Sequence, residues 1–305
     1  MNDRDAALVE LGRLLRTSGY RFTTITPESH RRVNEPEDSR EARDLRGVFG
    51  WSRPFRPEVL PRPMFELLSA AGAVVERDGL MTSTLRFSTA GNFLFVHSAF
   101  PTEQTDSVFF GPDTYRYLSM LRQHAAGPLG RVVDVGCGSG AGGIAVAAQA
   151  RSVVLADINE RALSFSAVNV SLAGATNVEI VLSDVLAGIT GEIDTVIANP
   201  PYLRDDRQRT YRDGGGSFGE GLSLRIVREA LDRLRPGGRL LLYTGTAIVE
   251  GRDGFGEAAE RICGSRARSI IYEEIDPDVF GEELEREAYR SVDRLAVVKL
   301  LVEKQ

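Results

Sequence analysis

From Arg131 onward the chain repeats one pattern. A short run of Val, Ile and Leu ends in a turn, and a helical stretch follows. The runs are RVVDVG (131–136), SVVLADI (152–158), VEIVLSDV (178–185), IDTVIANP (193–200) and RLLLYTG (239–245). Between them lie GAGGIAVAAQA, ERALSFSAVNVSLAG and SLRIVREALDRLRPGG. Near-continuous apolar runs of this length suit strands covered on both faces, and strands alternating with helices build a parallel sheet. RSIIYEEI (268–275) and DRLAVVKLLVE (293–303) extend the set to seven strands. The fold class predicted is α/β, a Rossmann-like seven-stranded sheet over residues 113–305.

Residues 1–112 do not follow that pattern. DAALVELGRLLRTSG places Leu8, Leu11, Leu14 and Leu15 at helical spacing, with Gly19 as a stop. RDLRGVFGW and PRPMFELLSAAG read as two more helices. AVVERDGLMTSTLRFSTAGNFLFVHSAF reads as strands broken at DG and AGN turns. The expectation is a smaller N-terminal α+β domain, winged-helix-like, that reads a substrate or partner. The charged stretch 34–44 reads as a linker or a solvated helix start.

Composition narrows the function classes. The net charge is −6, and residues 1–112 hold 14 basic and 15 acidic residues, a poor basis for gripping nucleic-acid phosphates. Nucleic acid is therefore the less favoured partner. No apolar run reaches the length of a membrane span, and the acidic start has no secretory core. The two cysteines, Cys137 and Cys263, show no metal-ligand spacing, so no metal is expected and a reducing, cytoplasmic setting fits. The oligomeric state is not legible.

Three features carry chemistry. The first is Asp134-Val-Gly136-Cys-Gly138-Ser-Gly140, a turn between a strand and a helix where the backbone can approach a ligand closely. Asp157 closes the next strand, the place of an acid that holds ribose hydroxyls, with Ile158 beside it. An acid leading the glycine run suits the amino group of a methionine moiety better than a pyrophosphate. That points to S-adenosylmethionine. Asp184, ending the third strand, can accept from an adenine amino group. The second feature is Asn199-Pro200-Pro201-Tyr202. Proline ends the strand, and the corner presents an amide, carbonyls and a ring. Asn199 Oδ1 and the Pro200 carbonyl can accept from the N–H groups of a planar nitrogen, and Tyr202 can stack on it. Positioning then does most of the catalysis.

These stretches, with RDGGGSFGEGL after the corner, resemble the class I methyltransferases, and within them the branch of the release-factor glutamine methyltransferases. The resemblance implies that Asp134, Gly136, Gly138, Gly140, Asp157 and Ile158 bind the donor, that Asp184 flanks its adenine, and that Asn199, Pro200 and Tyr202 hold the target nitrogen. It also places a helix over the donor at PDTYRY (112–117), with Thr114 and Tyr115 as candidates. The N-terminal strands depart from that branch.

The third feature is the loop EEIDPDVFGEELERE (273–287), with eight acids and one arginine. Rising on the donor side, it would favour a cationic acceptor, with Glu282, Glu283 and Glu285 as candidates. The expected reaction is methyl transfer to a guanidine or amide nitrogen of an amino acid, free or within a protein. The other reading is a nucleobase amine of RNA or DNA.

Overall fold

The computed structural model describes residues 2–305. Helix α1 (Asp3–Thr17) opens the chain, its first turn capped by Asn2, which accepts from Asp5 N–H. Helix α2 (Pro27–Asn34) follows, with Pro27 at its first turn and a Thr26 cap. Helices α3 (Leu45–Phe49) and α4 (Arg62–Ala70) precede two hairpins. Strands β1 (Val74–Arg77) and β2 (Leu80–Ser83) form the first, and β3 (Leu85–Ala90) and β4 (Phe93–Ser98) the second.

Helix α5 (Pro112–His124) leads into the large sheet. Its elements are β5 (Arg131–Val135), α6 (Ala141–Val146), β6 (Ser152–Asp157), α7 (Glu160–Ala173), β7 (Val178–Leu182), β8 (Ile193–Ala198), α8 (Gly221–Arg233) and β9 (Leu234–Val249). A short β10 (Arg252–Asp253), α9 (Gly254–Cys263), β11 (Ala267–Asp276) and β12 (Arg294–Lys304) complete it. The strand order is β11-β12-β9-β8-β5-β6-β7, with β10 folded back on β9. Strands β9, β8, β5, β6 and β7 are parallel, β12 is antiparallel to β9, and β11 is antiparallel to β12. The expected seven-stranded Rossmann-like sheet is present. The chain order reverses between β5 and β8, and ligands of open α/β sheets bind at the carboxyl ends of strands beside such a reversal.

The N-terminal elements do not close a core on their own. Ala162, Phe165, Val168 and Leu172 recur at helical spacing along α7, all buried. They pack into the same apolar cluster as Leu8, Leu11 and Leu15 of α1 and Leu94 and Val96 of β4. Asn169, on the same helix, is fully buried and stitches three segments. Its Oδ1 accepts from Val96 N–H at 2.8 Å, and its Nδ2 donates to the carbonyls of Val96 at 3.0 Å and Ser139 at 2.9 Å. One side chain thus ties β4 to the glycine turn. Buried polar groups satisfied this completely hold one arrangement.

Helix α2 is the element that sequence periodicity missed. PESHRRVN has almost no apolar face, and only His30 is buried. His30 Nε2 bonds the Trp51 carbonyl at 2.9 Å, so a polar contact seats the helix.

Truncating Phe165 to Ala removes the ring at the centre of the shared cluster. The expected cost is about 3–5 kcal/mol, read by chemical denaturation, with N-terminal and sheet probes unfolding in one transition. Two separate transitions would show that the regions do not share a core.

Candidate active site

The parallel register of β5 with β8 pairs Val135 with Ala198. It therefore sets the glycine turn that follows β5 beside the Asn199 corner that follows β8. The Cα of Pro200 lies 4.0 Å from where a side chain on Gly136 would begin. Gly136, Gly138 and Gly140 all have positive φ, at 66°, 56° and 76°. Any other residue would be strained there.

Two acids brace this turn. Asp134 is buried, and its carboxylate accepts from Gly143 N–H at 2.7 Å and from the Tyr117 hydroxyl at 3.3 Å. Burial pushes its carboxyl up to about 7, against the pull of those two bonds. Asp157 accepts from Gly138 N–H and Asn159 N–H, both at 2.9 Å, and burial raises its carboxyl too. Ile158, beside it, is 61% exposed. An uncovered isoleucine next to a carboxylate is an apolar shelf for a flat ring beside a hydroxyl acceptor.

A cavity opens over this edge of the sheet. It is lined by the turn, Asp157 to Asn159, Ser183 to Val185, and Asn199 to Leu203. Helix α5 adds Asp113, Thr114 and Tyr117, and Phe280 enters from the loop between β11 and β12. The N-terminal region supplies Pro27, Thr102 and Ser107 to Phe109. Thr210 to Arg212, from the loop after the corner, complete the wall. These last two segments clasp each other. Thr210 N–H donates to the Thr105 carbonyl at 3.0 Å, and Tyr211 hydroxyl to the Thr102 carbonyl at 2.8 Å. The rings of Phe109 and Tyr211 stack at 5.8 Å.

At the corner, the Asn199 side chain makes no hydrogen bond among the described residues, and the Pro200 carbonyl accepts none from the backbone. Both residues line the cavity, and neither acceptor is engaged. Tyr202 is almost buried. Its ring lies so close to Gly245 that no larger residue fits there, and it meets Phe280 edge-on at 6.1 Å. The Tyr202 hydroxyl is buried without a partner among the described residues.

The expected site residues do not all converge. Asp134, Gly136, Gly138, Asp157, Ile158, Asp184, Asn199, Pro200 and Tyr202 line the cavity. Gly140 shapes the turn behind it. Asp184 lies at the rim in a two-bond pair with Arg225, at 2.7 and 3.0 Å. Tyr115 points away. Its hydroxyl accepts from Thr24 N–H at 3.0 Å and its ring meets Phe110 at 5.5 Å, inside the N-terminal packing. The reason is helical geometry: Asp113 and Tyr117, four residues apart, share the cavity face of α5, and Tyr115 between them takes the opposite one. That periodicity was available in PDTYRY. Asp113 also escaped the sequence reading. It is buried, it accepts from the Tyr243 hydroxyl at 2.8 Å, and burial raises its carboxyl.

The three glutamates of the acidic loop are not in the cavity. Glu283 is buried between Arg212 and Arg286, the latter at 2.6 Å, and Glu282 and Glu285 face outward. Arg286 also reaches Asp206 at 2.8 Å and the Arg204 carbonyl at 2.9 Å. Arg209 beside Asp205 holds that carboxyl down at about 2. Two ion pairs cross between the loops, Glu283 with Arg212 and Arg286 with Asp206, and they fasten the acidic loop to the segment after the corner.

Comparison with known proteins agrees with this geometry. Residues 113–248 match the family model described as Methyltransferase small domain. This segment is a class I, S-adenosylmethionine-dependent methyltransferase domain. The chain is 32% identical over 186 residues to the release factor glutamine methyltransferase of Lactococcus lactis subsp. lactis, covering 56% of this chain and 65% of that one. It is 32% identical over 154 residues to the enzyme of the same name from Cereibacter sphaeroides, covering 46% and 55%. It therefore spans less than two thirds of either relative. Ribosomal RNA small subunit methyltransferase C of Chromohalobacter salexigens is 32% identical over 148 residues, 47% of this chain and 41% of that one. Among solved structures, wild-type Trm5b from Pyrococcus abyssi superposes with a TM-score of 0.50 at 16% identity, covering 82% of this chain and 69% of that chain. At that identity the likeness is one of fold.

The donor fits the methyltransferase domain. A turn of positive-φ glycines, a carboxylate at the end of the next strand and an exposed apolar shelf meet in one cavity. The pH dependence of stability follows from Asp134. Its folded value is about 7, against about 4 when unfolded, so the native state binds the proton more tightly. Stability is expected to fall as pH rises from about 4 to about 7 and then to level off. Asp134→Asn removes that share of the slope. Parallel denaturation curves for native and variant proteins across this range would show no such share.

Proposed function

We propose that this chain transfers a methyl group from S-adenosylmethionine to the nitrogen of a planar amide on a protein side chain. The observation that carries the proposal is the pair of unused acceptors, Asn199 Oδ1 and the Pro200 carbonyl, facing the cavity beside the glycine turn. An amide nitrogen is a weak nucleophile because its lone pair is delocalised. Its two N–H groups match the two acceptors, which orient the nitrogen and draw charge towards it as it attacks. The donor supplies a methyl group already activated on a sulfonium. Tyr202, held against Gly245 and Phe280, forms an apolar wall that keeps the plane of the acceptor fixed. The clasp between residues 102–105 and 209–211 shields the reacting atoms from water.

The charge at the mouth supports an amide over a guanidinium. Glu283, which turns inward, is paired with Arg212 and Arg286, and Glu282 and Glu285 are exposed outside the cavity. Arg209 and Arg286 are paired with Asp205 and Asp206. A neutral acceptor suits such a mouth. The release factor glutamine methyltransferases, to which the chain is similar, are named for a neutral amide. In this reading residues 1–112 frame the entrance and read the protein that carries the amide.

The test is methyl transfer from labelled donor to a protein extract, total RNA and free arginine in parallel. Label in protein at an amide is expected, and label in RNA or arginine instead overturns the proposal. Asn199→Ala should reduce transfer roughly 10²–10³-fold, the usual cost of one preorganised polar contact to a reacting group. Donor affinity, measured by calorimetry, should change little.

A further inference from the structure

The outer edge of the large sheet is unprotected. Strand β11 pairs with β12 on one side, and among the described residues nothing pairs with its other side. Ile270, Ile271, Tyr272 and Ile275 on this strand are 39%, 52%, 36% and 38% exposed. Half of the exposed large apolar residues of the described chain lie here. Edge strands of soluble proteins are normally short, or carry lysine or proline that discourages pairing. The stretch Ser269–Tyr272 carries no charge and no proline, and the bulges of β11 lie outside it.

We propose that this edge pairs with the same edge of a second copy of the chain, joining two sheets across a two-fold axis at Ile271. The sequence fixes the register. A two-fold axis normal to a sheet keeps each face on its own side, so paired residue numbers must share parity. Within the regular part of the strand, Ser269 to Glu274, an axis at Ile271 sets Ile270 opposite Tyr272 and Ile271 opposite its own copy. Moving the axis to Ile270 sets Ser269 against Ile271, and moving it to Tyr272 sets Ile270 against Glu274 and Ile271 against Glu273. Only the Ile271 register matches each of these three apolar residues with an apolar one. Self-complementarity of this kind is what an isologous interface requires. The charges beyond them are already satisfied within the chain: Arg268 lies 3.2 Å from Glu303, and Glu274 lies 2.8 Å from Arg294. An added antiparallel strand satisfies the open N–H and C=O groups of the edge, and the flanking side chains set the partner.

Sedimentation velocity over a dilution series of the full chain tests the proposal. The native chain should show a dimer that dissociates on dilution. Ile271→Lys, which brings two ammonium groups together at the axis, should be monomeric throughout. Ile270→Lys alone and Tyr272→Glu alone should each weaken association roughly tenfold or more, because a lone charge then faces an apolar side chain. The two changes combined should restore it. Unchanged circular dichroism and melting midpoint will show that each variant folds, as expected for exposed positions. A native chain that is monomeric throughout the series overturns the proposal. So does a dimer that survives Ile271→Lys, or a double variant that stays as weak as the single ones.

Discussion

The parallel pairing of β5 with β8 is the contact on which the rest of the site depends. Neither the glycine turn nor the Asn199 corner is a reaction site alone. One is a tight strand–helix connection and the other a strand terminator. The register that sets Val135 beside Ala198 brings the two within contact distance and turns them into a donor cradle facing a pair of hydrogen-bond acceptors. A slip of one residue would reverse every side chain of β8 and send its buried row to the opposite face. The core apolar residues on both strands, Val133, Val135, Val196 and Ala198, are what hold that register.

Around this contact the chain spends carboxylates on backbone rather than on solvent. Asp134 and Asp157 both accept from amides of the turn they flank. Their elevated proton affinities report the same compromise. Each carboxylate is buried at the turn, and the amides it accepts from partly offset the cost of its charge. The mouth of the cavity follows a different rule. There the opposite charges of two loops cancel, leaving aromatic rings and hydroxyls to form the wall.

Much of this was legible in the sequence because it rests on short-range rules. Alternating apolar runs and helices gave the sheet, and glycine, acid and proline positions gave the ends of four strands. Four features were not legible, each for a physical reason. Glu283 was expected to face the acceptor because its loop is acidic, but it turns inward to Arg286, three residues on, and to Arg212 of a distant loop, and the pairing across loops leaves no local signature. Tyr115 was favoured as an aromatic beside the donor, yet the helix turns it away and presents Asp113 and Tyr117. Helix α2 escaped because it is seated by a histidine and not by an apolar stripe. The fusion of the N-terminal region with α7 was equally hidden. The buried row on α7 reads as a helix packing on its own sheet, and nothing in it says that another region takes part.

That fusion bears on how such a protein can be rebuilt by recombination. A boundary drawn at residue 112 separates the two regions by sequence pattern but cuts through their common interior. Exchanging the N-terminal region for another would leave Phe165, Val168 and Leu172 facing an unmatched surface, and Asn169 with two of its three hydrogen bonds broken. The smallest transplantable piece therefore includes α7, although α7 lies inside the methyltransferase domain and begins just after the acid that marks the ribose position. A new specificity region grafted by this route would arrive with its own version of the donor pocket's flank. Changes in what the protein recognises and in how tightly it holds the methyl donor would be inherited together.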